Sequence, residues 1–178
     1  MSAFGPDDAA ALTALRREGL EAHPEAFGSS LAEEAGGVPG WLTAQLAAGD
    51  VFGAWDGPDL AGMAGLWREE PEKKRHRGGL WGMYVRPARR RRGVGAALVR
   101  RVLERAALVG LEQVHLGVGA ANPGARALYE RLGFVAYGVE PRALKLAAVY
   151  VDEVLMVRHL AGEAVAATRR MTPRPDPA

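Results

Sequence analysis

The sequence predicts a mixed α/β (α+β) fold with a single sheet and flanking helices. The spacing of apolar residues changes along the chain. In some segments they alternate, as in strands, and in others they recur every three or four residues, as in helices. The predicted order is two helices, a strand hairpin, then strand, helix, strand, helix and two final strands. Because a helical crossover joins the middle strands, those strands should be parallel.

The first part of the chain predicts two helices. Residues 7–21 have an apolar face and begin with acids that suit the positive end of a helix dipole. Pro24 ends this helix, because the residue before proline avoids helical geometry. A polar connector, residues 24–40, leads to a short helix at about residues 39–48, with proline in its first turn.

Three strands are predicted next. Residues 51–55 and 60–67 are apolar and flank Asp56-Gly57-Pro58-Asp59, whose residue types favour a turn, so the two runs should form a hairpin. A charged loop, residues 68–79, precedes a third strand at residues 80–85. Pro87 prevents its easy continuation, because proline lacks the N–H that pairing needs.

The second half alternates helices and strands. Residues 93–109 have one apolar face, with arginines on the others, which predicts a helix. An alternating strand at residues 114–118 leads to Asn122-Pro123, a cap followed by proline at the first helical position. Gly133 ends that helix. Two further strands are predicted, at residues 134–137 and about 149–157.

Composition excludes several classes of protein and site. The chain has 178 residues and no cysteine, which excludes disulfides, thiolate zinc sites and thiol nucleophiles. Its four histidines are not closely paired, so no metal site is expected. We see no apolar run of ~20 residues and no signal peptide, so we expect a cytoplasmic protein without a membrane partner.

A single domain is expected over residues 1–160, because this length suits one hydrophobic core. Residues 161–178 contain three prolines near the end and little apolar content. We therefore predict a disordered C-terminal tail there.

Charge is distributed unevenly along the chain. The formal net charge is +2, yet residues 1–72 carry 13 acids against three basic residues, and residues 73–109 carry 12 basic residues against one acid. A basic block of this kind indicates an anionic partner.

The basic block contains a turn suited to an anion. Residues 85–96 comprise a strand end, a turn of arginines and glycines, and a helix start. Glycines let backbone N–H groups approach a ligand, and a helix start adds unpaired N–H groups and a positive dipole end. The four consecutive arginines, Arg89 to Arg92, add electrostatic attraction for an anion, so the turn is suited to bind a pyrophosphate.

Other interpretations of the turn stay open at this point. It lacks the glycine-lysine-serine/threonine ending of nucleotide-hydrolase phosphate loops, and Leu98 stands where a dinucleotide-binding turn has its third glycine. A basic turn on a solvated surface is the simplest alternative. Nucleic-acid binding lacks interleaved aromatic residues and a known reader motif, so no nucleic-acid partner is expected.

A second signal lies about thirty residues downstream. Residues 122–134 include Asn122, a helix with Leu128-Tyr129, and Gly133-Phe134. Tyr129 directly follows Leu128 of the predicted inner face, so its ring can pack while its hydroxyl reaches a ligand. A packed tyrosine with a solvated hydroxyl is the alternative.

Together the two segments resemble the GCN5-related N-acetyltransferase (GNAT) superfamily. Arg90-Arg91-Arg92-Gly93-Val94-Gly95 resembles its acyl-coenzyme A pyrophosphate motif, and residues 122–134 resemble its second characteristic segment. The resemblance implies a mixed, mostly antiparallel sheet with a central splayed parallel strand pair, flanked by helices on both faces. Residues 23–30, 137–145 and 150–153 resemble a bacterial branch of this superfamily. The superfamily's first strand has only residues 1–4 available.

The resemblance also implies a site for acetyl-coenzyme A (acetyl-CoA) as cosubstrate, with no metal. Its pantetheine arm would lie between residues 80–85 and 114–118, with Gly82 supporting a bulge. Tyr129 would protonate the departing thiolate. The residues implied to hold the cosubstrate are Met83, Tyr84, Val85, Arg90, Arg91, Arg92, Gly93, Val94, Gly95, Ala96 and Asn122.

The implied reaction is direct attack by an amine of an unidentified small molecule or protein. A lysine-like amine with a pKa of ~10.4 is uncharged about once in 2,500 molecules at pH 7, so a general base or a water chain is expected. The acid that many relatives carry on the third strand is missing here. The remaining acids considered as bases are Glu33, Glu34, Glu140, Asp152 and Glu153. The residues assigned to the acceptor site are Glu33, Glu34, Trp81 and Glu140.

Two further expectations concern function and assembly. The alternative function is a non-catalytic acyl-CoA-binding or sensing module on the same fold. Members of the superfamily are frequently dimers, so the resemblance allows a homodimer. The segment of residues 1–72, which carries a net negative charge, should border the acceptor site and favour a cationic amine.

Overall fold

A single sheet of seven strands organises the computed structural model, which describes residues 2–4, 8–34, 36 and 39–160. The strands are β1 (Ser2–Ala3), β2 (Val51–Asp56), β3 (Asp59–Arg68), β4 (Arg77–Val85), β5 (Gln113–Gly119), β6 (Val135–Leu146) and β7 (Val149–His159). Their order across the sheet is β1-β2-β3-β4-β5-β7-β6, and β4 and β5 are its parallel pair. The α-helices of the described residues are α1 (Ala9–Ala22), α2 (Gly40–Ala47), α3 (Val94–Leu108) and α4 (Pro123–Arg131). The predicted tail, residues 161–178, lies outside the described residues.

Helices cover both faces of the sheet, which confirms the predicted architecture. Successive strand residues point to opposite faces, so Val51 packs in the layer with α1 and α2, while Phe52 packs in the layer with α3 and α4. The apolar face of α3 that joins the second layer consists of Leu98, Val99, Val102 and Ala106. The sheet is therefore the wall between two separate apolar cores.

The parallel pair β4 and β5 is short. It joins only three residues of each strand, Arg77 to Gly79 with Gln113 to His115, and beyond them the two described strands share no pairs. Their carboxyl-terminal halves diverge, which confirms the predicted splayed pair. On its other side β4 has a bulge, where Gly82 and Met83 lie opposite Ala64 of β3, and Gly82 has φ +61°.

A buried carboxylate anchors α3 to the sheet. Asp50, just before β2, is buried and accepts hydrogen bonds from the guanidinium of Arg105 on α3 at 2.8 Å. Arg68 at the end of β3 pairs with the same carboxylate at 3.0 Å. This contact holds the carboxyl-terminal part of α3 against the sheet. It thereby helps to orient α3, whose amino-terminal end follows the arginine-rich turn.

One strand whose presence the sequence left open is found, and two element boundaries differ from the sequence-based expectations. The first strand exists, since Ser2 and Ala3 pair with Gly53 and Phe52 of β2. β4 begins at Arg77 rather than residue 80, because the glycines Gly78 and Gly79 pair with both neighbouring strands. β6 was predicted to end at residue 137 but continues to Leu146.

The predicted end of this strand at residue 137 leaves Pro141 in a link between strands, whereas Pro141 lies within β6. The strand accommodates the proline by a register shift between Glu140 and Leu144, and Arg142 there takes φ +56°. β6 is an edge strand, where proline can be tolerated. Glu140 therefore lies in a strand and faces Glu153 of β7.

No described helix has the length and apolar character needed to cross a membrane.

Candidate active site

The diverging ends of β4 and β5 open into a cleft of about 1200 Å³. Its walls come from β4, β5 and β7, the start of α3, α4, and from α1, α2 and the connector between them. Most of the predicted cosubstrate residues line this cleft: Met83, Tyr84, Val85, Arg90, Arg91, Gly93, Gly95, Ala96 and Asn122. The chain therefore brings both sequence segments to one place.

The predicted pyrophosphate turn ends in a helix start with open N–H groups. Gly93 has φ +82°, a left-handed conformation that favours glycine, and directly precedes α3. The first N–H groups of a helix have no intrahelical partner, and the first to bond here is that of Ala97, to the Gly93 carbonyl. A Cβ at Gly95 would lie 3.0 Å from Met83 Cε, so the glycine lets α3 lie close to β4. This geometry suits a bound phosphate.

The four arginines of the turn have different environments. Arg90 and Arg91 line the cleft, whereas Arg92 lines a separate hollow of about 290 Å³, together with Val94. Arg89 pairs with Asp56 at 2.7 Å. The predicted site residues Arg92 and Val94 therefore lie outside the cleft walls.

Arg90 folds back over the end of β4. Its Nε donates to the Val85 carbonyl at 2.8 Å, and its Nη2 lies 3.0 Å from Nε2 of His23, which directly follows α1. The guanidinium also lies 5.8 Å from the centre of the Tyr84 ring. Arg90 thus joins three walls of the cleft at its basic end.

The start of α4 forms as predicted and directs two predicted residues to the cleft. The Asn122 side chain accepts a hydrogen bond from the Ala125 N–H at 3.0 Å, so it caps the helix. Tyr129 is only 6% exposed, stacks edge-on against Phe134, and lines the cleft. We find no hydrogen-bond partner for its hydroxyl among the described residues.

Burial raises the pKa of Tyr129 well above its ordinary value. The phenol therefore stays protonated through the neutral range. A buried, protonated hydroxyl that faces a cleft can donate a proton to a group arriving there.

Glu34, assigned to the acceptor site from the sequence, is engaged within the protein. Its carboxylate accepts bonds from both Nε and Nη2 of Arg16, the shortest at 2.6 Å, and from Ser29. The exposed fractions are 4% for the Arg16 side chain and 7% for the Glu34 side chain. Glu34 is not among the residues that line the cleft, whereas Arg16 and Ser29 are.

Aromatic rings surround this ion pair. The Arg16 guanidinium carbon lies 5.2 Å from the Trp41 ring centre, 5.5 Å from that of Trp81, and 5.6 Å from that of Phe27. Trp41 and Trp81 meet edge-on at 4.9 Å, and both line the cleft. The predicted acceptor residue Trp81 is thus part of an aromatic wall held by a neutralised arginine.

The other two predicted acceptor residues are not among the residues that line the cleft. Glu33 is exposed and accepts a bond from the Ser30 N–H at 2.6 Å, and this bond lowers the pKa of its carboxyl. Glu140 is exposed on β6 and lies opposite Glu153.

Glu153 is a cleft residue that the sequence analysis named only as one of several acids. It lies on β7, and its carboxylate covers Gly117 of β5. Burial, followed by the charge of Glu140, raises the pKa of Glu153 above its ordinary value. Alternating glycines in a strand, Gly117 and Gly119, mark a place where another group approaches the backbone, and that pattern could have indicated it.

Sequence reasoning also missed Arg16 and Gln45. Gln45 lines the cleft from α2 and has a buried Oε1 with no hydrogen-bond partner in the described part of the chain. Arg16 and Trp41 come together only because α1 and α2 pack on the same face of the sheet. No local motif signals such a contact.

Comparison with known proteins identifies similar sequences. A family model described as the acetyltransferase (GNAT) family matches residues 12–134. Mycothiol acetyltransferase of Corynebacterium glutamicum is 34% identical over 104 residues, which cover 53% of this chain and 34% of that protein. The uncharacterized N-acetyltransferase YvbK of Bacillus subtilis is 27% identical over 89 residues, covering 50% of this chain and 55% of that one. The chain thus spans about a third and about half of the lengths of these two curated relatives.

Solved structures share the fold. That of yncA from Salmonella typhimurium, with its cofactor acetyl-CoA, has a TM-score of 0.76 at 20% identity and covers 90% of this chain and 93% of its own. Ribosomal-protein-alanine N-acetyltransferase from Brucella melitensis has a TM-score of 0.71 at 24% identity, covering 86% of this chain and 95% of its own.

Proposed function

This chain belongs to the acetyltransferase (GNAT) family, and from that membership we propose that it transfers an acetyl group directly from acetyl-CoA to an amine. The observation that carries the proposal is the splayed pair β4 and β5, which opens beside the glycine-arginine turn and shares its cleft with Tyr129. The structural neighbour with bound acetyl-CoA supports the choice of cosubstrate.

The residues present fit acetyl-CoA. The open N–H groups at the start of α3, with Arg91 beside them, suit the pyrophosphate. The backbone of β4 from Met83 to Val85 has no β5 partner among the described residues, and an extended amide-bearing arm can pair with it. Asn122 also lines the cleft. When bound, the cosubstrate supplies an acetyl group activated as a thioester.

Tyr129 is the proposed acid of the reaction. Its raised pKa keeps the phenol protonated, so the hydroxyl can give its proton to the leaving sulfur. The absence of cysteine from the sequence fits direct transfer, because no thiol can form an acyl-enzyme.

The acceptor end of the cleft is defined by Trp41, Trp81 and the connector after α1. Arg16 adds little net charge there, because Glu34 neutralises it. The acceptor is therefore expected to rest an apolar part against the two indole rings, with its amine directed toward the thioester.

Calorimetry with acetyl-CoA is the first test. We expect saturable binding of one molecule per chain; no binding at high micromolar concentration would overturn the proposal. Thiol release from acetyl-CoA in the presence of amines is the second test. Binding without thiol release for any amine would favour the alternative, a non-catalytic acyl-CoA-binding module.

A further inference from the structure

The geometry points to Glu153 as the catalytic base, which takes a proton from a cationic acceptor amine in the cleft. This inference rests on the proposed acetyl transfer and adds the group that the sequence could not identify. It also assigns the acceptor to the class of alkylammonium ions.

Glu153 enters the cleft from the face opposite Tyr129. Its neighbour Val154 and the alternate residue Met156 are buried in the core layer of α3 and α4, which includes Tyr129. Because successive strand residues point to opposite faces, the Glu153 side chain belongs to the face of α1 and α2. Both Glu153 and Tyr129 line the same cleft.

This opposition suits the chemistry of direct transfer. Glu153 takes one proton from the ammonium, and the nitrogen lone pair then forms the N–C bond as the C–S bond breaks. Tyr129 gives its proton to the sulfur. The second amine proton, lost as the amide forms, restores the Tyr129 phenol through solvent, and Glu153 releases its proton to solvent. One proton is therefore released per ammonium acetylated.

The charges around Glu153 favour an ammonium. Glu140 on β6 faces it, Gly117 and Gly119 of β5 carry no charge, and Glu25 on the connector lines the same cleft. His23 contacts Glu25 at 3.2 Å. Arg16 is already paired with Glu34, and Glu140 is the charged neighbour that acts on Glu153.

The raised pKa of Glu153 makes it a better base than an ordinary carboxylate. Efficient base catalysis requires a pKa near the working pH, and burial beside Glu140 moves Glu153 in that direction. Tyr129, which is only 6% exposed and whose hydroxyl has no partner in the described chain, independently marks the cleft as a reaction site.

The other acids considered are less suited to this role. Glu34 is paired with Arg16, and Glu33 binds the Ser30 N–H at 2.6 Å. Asp152 accepts a bond from the Arg142 N–H at 2.7 Å and, as the strand neighbour of Glu153, points to the other face. None of these three lines the cleft within the described residues.

Glu153→Gln is the central experiment, with Glu104→Gln on the exposed surface of α3 as the matched control. Two probes are used, the ε-amine of N-α-acetyl-lysine amide and the α-amine of glycinamide, whose pKa values are about 10.4 and about 8. We expect Glu153→Gln to lower kcat/KM for the lysine probe about 100-fold or more at pH 7. The loss should be smaller for glycinamide, because more of it is already uncharged. Glu104→Gln should match the unchanged enzyme.

The pH profile separates a base from a merely structural residue. Activity should rise with pH as Glu153 ionises, and this limb should disappear in Glu153→Gln. Glu140→Gln removes a negative charge, lowers the pKa of Glu153, and should move the limb to lower pH. Carbon-13 NMR of glutamate-labelled protein, with Glu153→Gln to assign the signal, should show the same raised pKa and the same shift without any turnover.

The outcomes distinguish this inference from the proposed function. If Glu153→Gln binds acetyl-CoA normally and retains the rate and the pH limb, Glu153 is not the base, although the acetyltransferase proposal stands. If the unchanged enzyme binds acetyl-CoA but acetylates neither probe, the alkylammonium acceptor is overturned. If it does not bind acetyl-CoA at all, the proposed function itself fails.

Discussion

The carboxylate of Glu153 occupies the space above Gly117, with Oε2 2.5 Å from the point where a Cβ on that glycine would stand. A methyl group at position 117 and the observed position of the carboxylate are therefore incompatible. Because the contact involves the far end of a flexible side chain, the carboxylate can move while the strand stays in place.

Gly117→Ala should accordingly impair catalysis more than stability. We expect kcat/KM to fall by about 10-fold to 100-fold, because a displacement of about 1 Å can have that effect. The free energy of unfolding should change by less than about 1 kcal/mol. Gly119→Ala is the matched control, since a Cβ there would lie 3.8 Å from Val151 and 3.9 Å from the Glu25 carbonyl. Equal kinetics for the two variants would argue against a positioned Glu153.

Tyr129→Phe should lower turnover while acetyl-CoA affinity stays nearly constant. The change removes the acidic proton but keeps the ring that packs against Phe134. Loss of a general acid typically lowers the rate 100-fold to 10,000-fold. Steady-state thiol release and calorimetry measure the two effects. Tyr137→Phe on the exposed face of β6 is the control, and unchanged turnover in Tyr129→Phe would show that another group protonates the sulfur.

Arg91→Ala and Arg92→Ala should differ in acetyl-CoA binding. Arg91 lines the cleft, whereas Arg92 lies in the separate hollow beside Asp56. A hydrogen bond to a charged group contributes about 1.5–3 kcal/mol, so Arg91→Ala should weaken binding roughly 10-fold to 100-fold. Arg92→Ala should show a smaller effect that fades at high salt. The reverse order, measured by calorimetry, would contradict this assignment of the pyrophosphate site.

Glu34→Gln should act on stability rather than on catalysis directly. It would leave the buried Arg16 guanidinium without its counter-charge, and breaking a buried pair costs about 3–5 kcal/mol. Denaturant unfolding measures the loss. Glu104→Gln breaks an exposed pair with Arg101 and should cost no more than about 1 kcal/mol. A fully stable Glu34→Gln enzyme with a raised KM for the acceptor would instead support a substrate role for Glu34.

The sequence predicted those parts of the site that depend on local chemistry. Three such features are present. Asn122 caps α4, a glycine forms the turn before α3, and the strands joined by α3 are parallel. The predicted end of β6 was wrong because proline usually ends a strand. Here the strand lies at the edge of the sheet and accommodates the proline through a register shift.

Contacts made by distant segments could not be predicted in the same way. Arg16 and Glu34 are 18 positions apart, and nothing local distinguishes them from solvated charges until α1 and the connector fold together. Glu153 and Gly117 belong to neighbouring strands whose register is fixed only in the complete sheet. The acceptor half of the site depends on such contacts, which is why none of the three acids that the sequence predicted for it, Glu33, Glu34 and Glu140, lines the cleft.

The brief pairing of β4 with β5 has a consequence for the lifetime of the protein. If an acetyl-CoA arm continues the pairing along β4, the small molecule becomes part of what holds the two halves of the sheet together. A ligand at a hundred times its Kd stabilises a fold by about 2.7 kcal/mol, so unfolding and proteolytic cleavage would slow when acetyl-CoA is plentiful. The abundance of the protein would then follow the supply of acetyl-CoA.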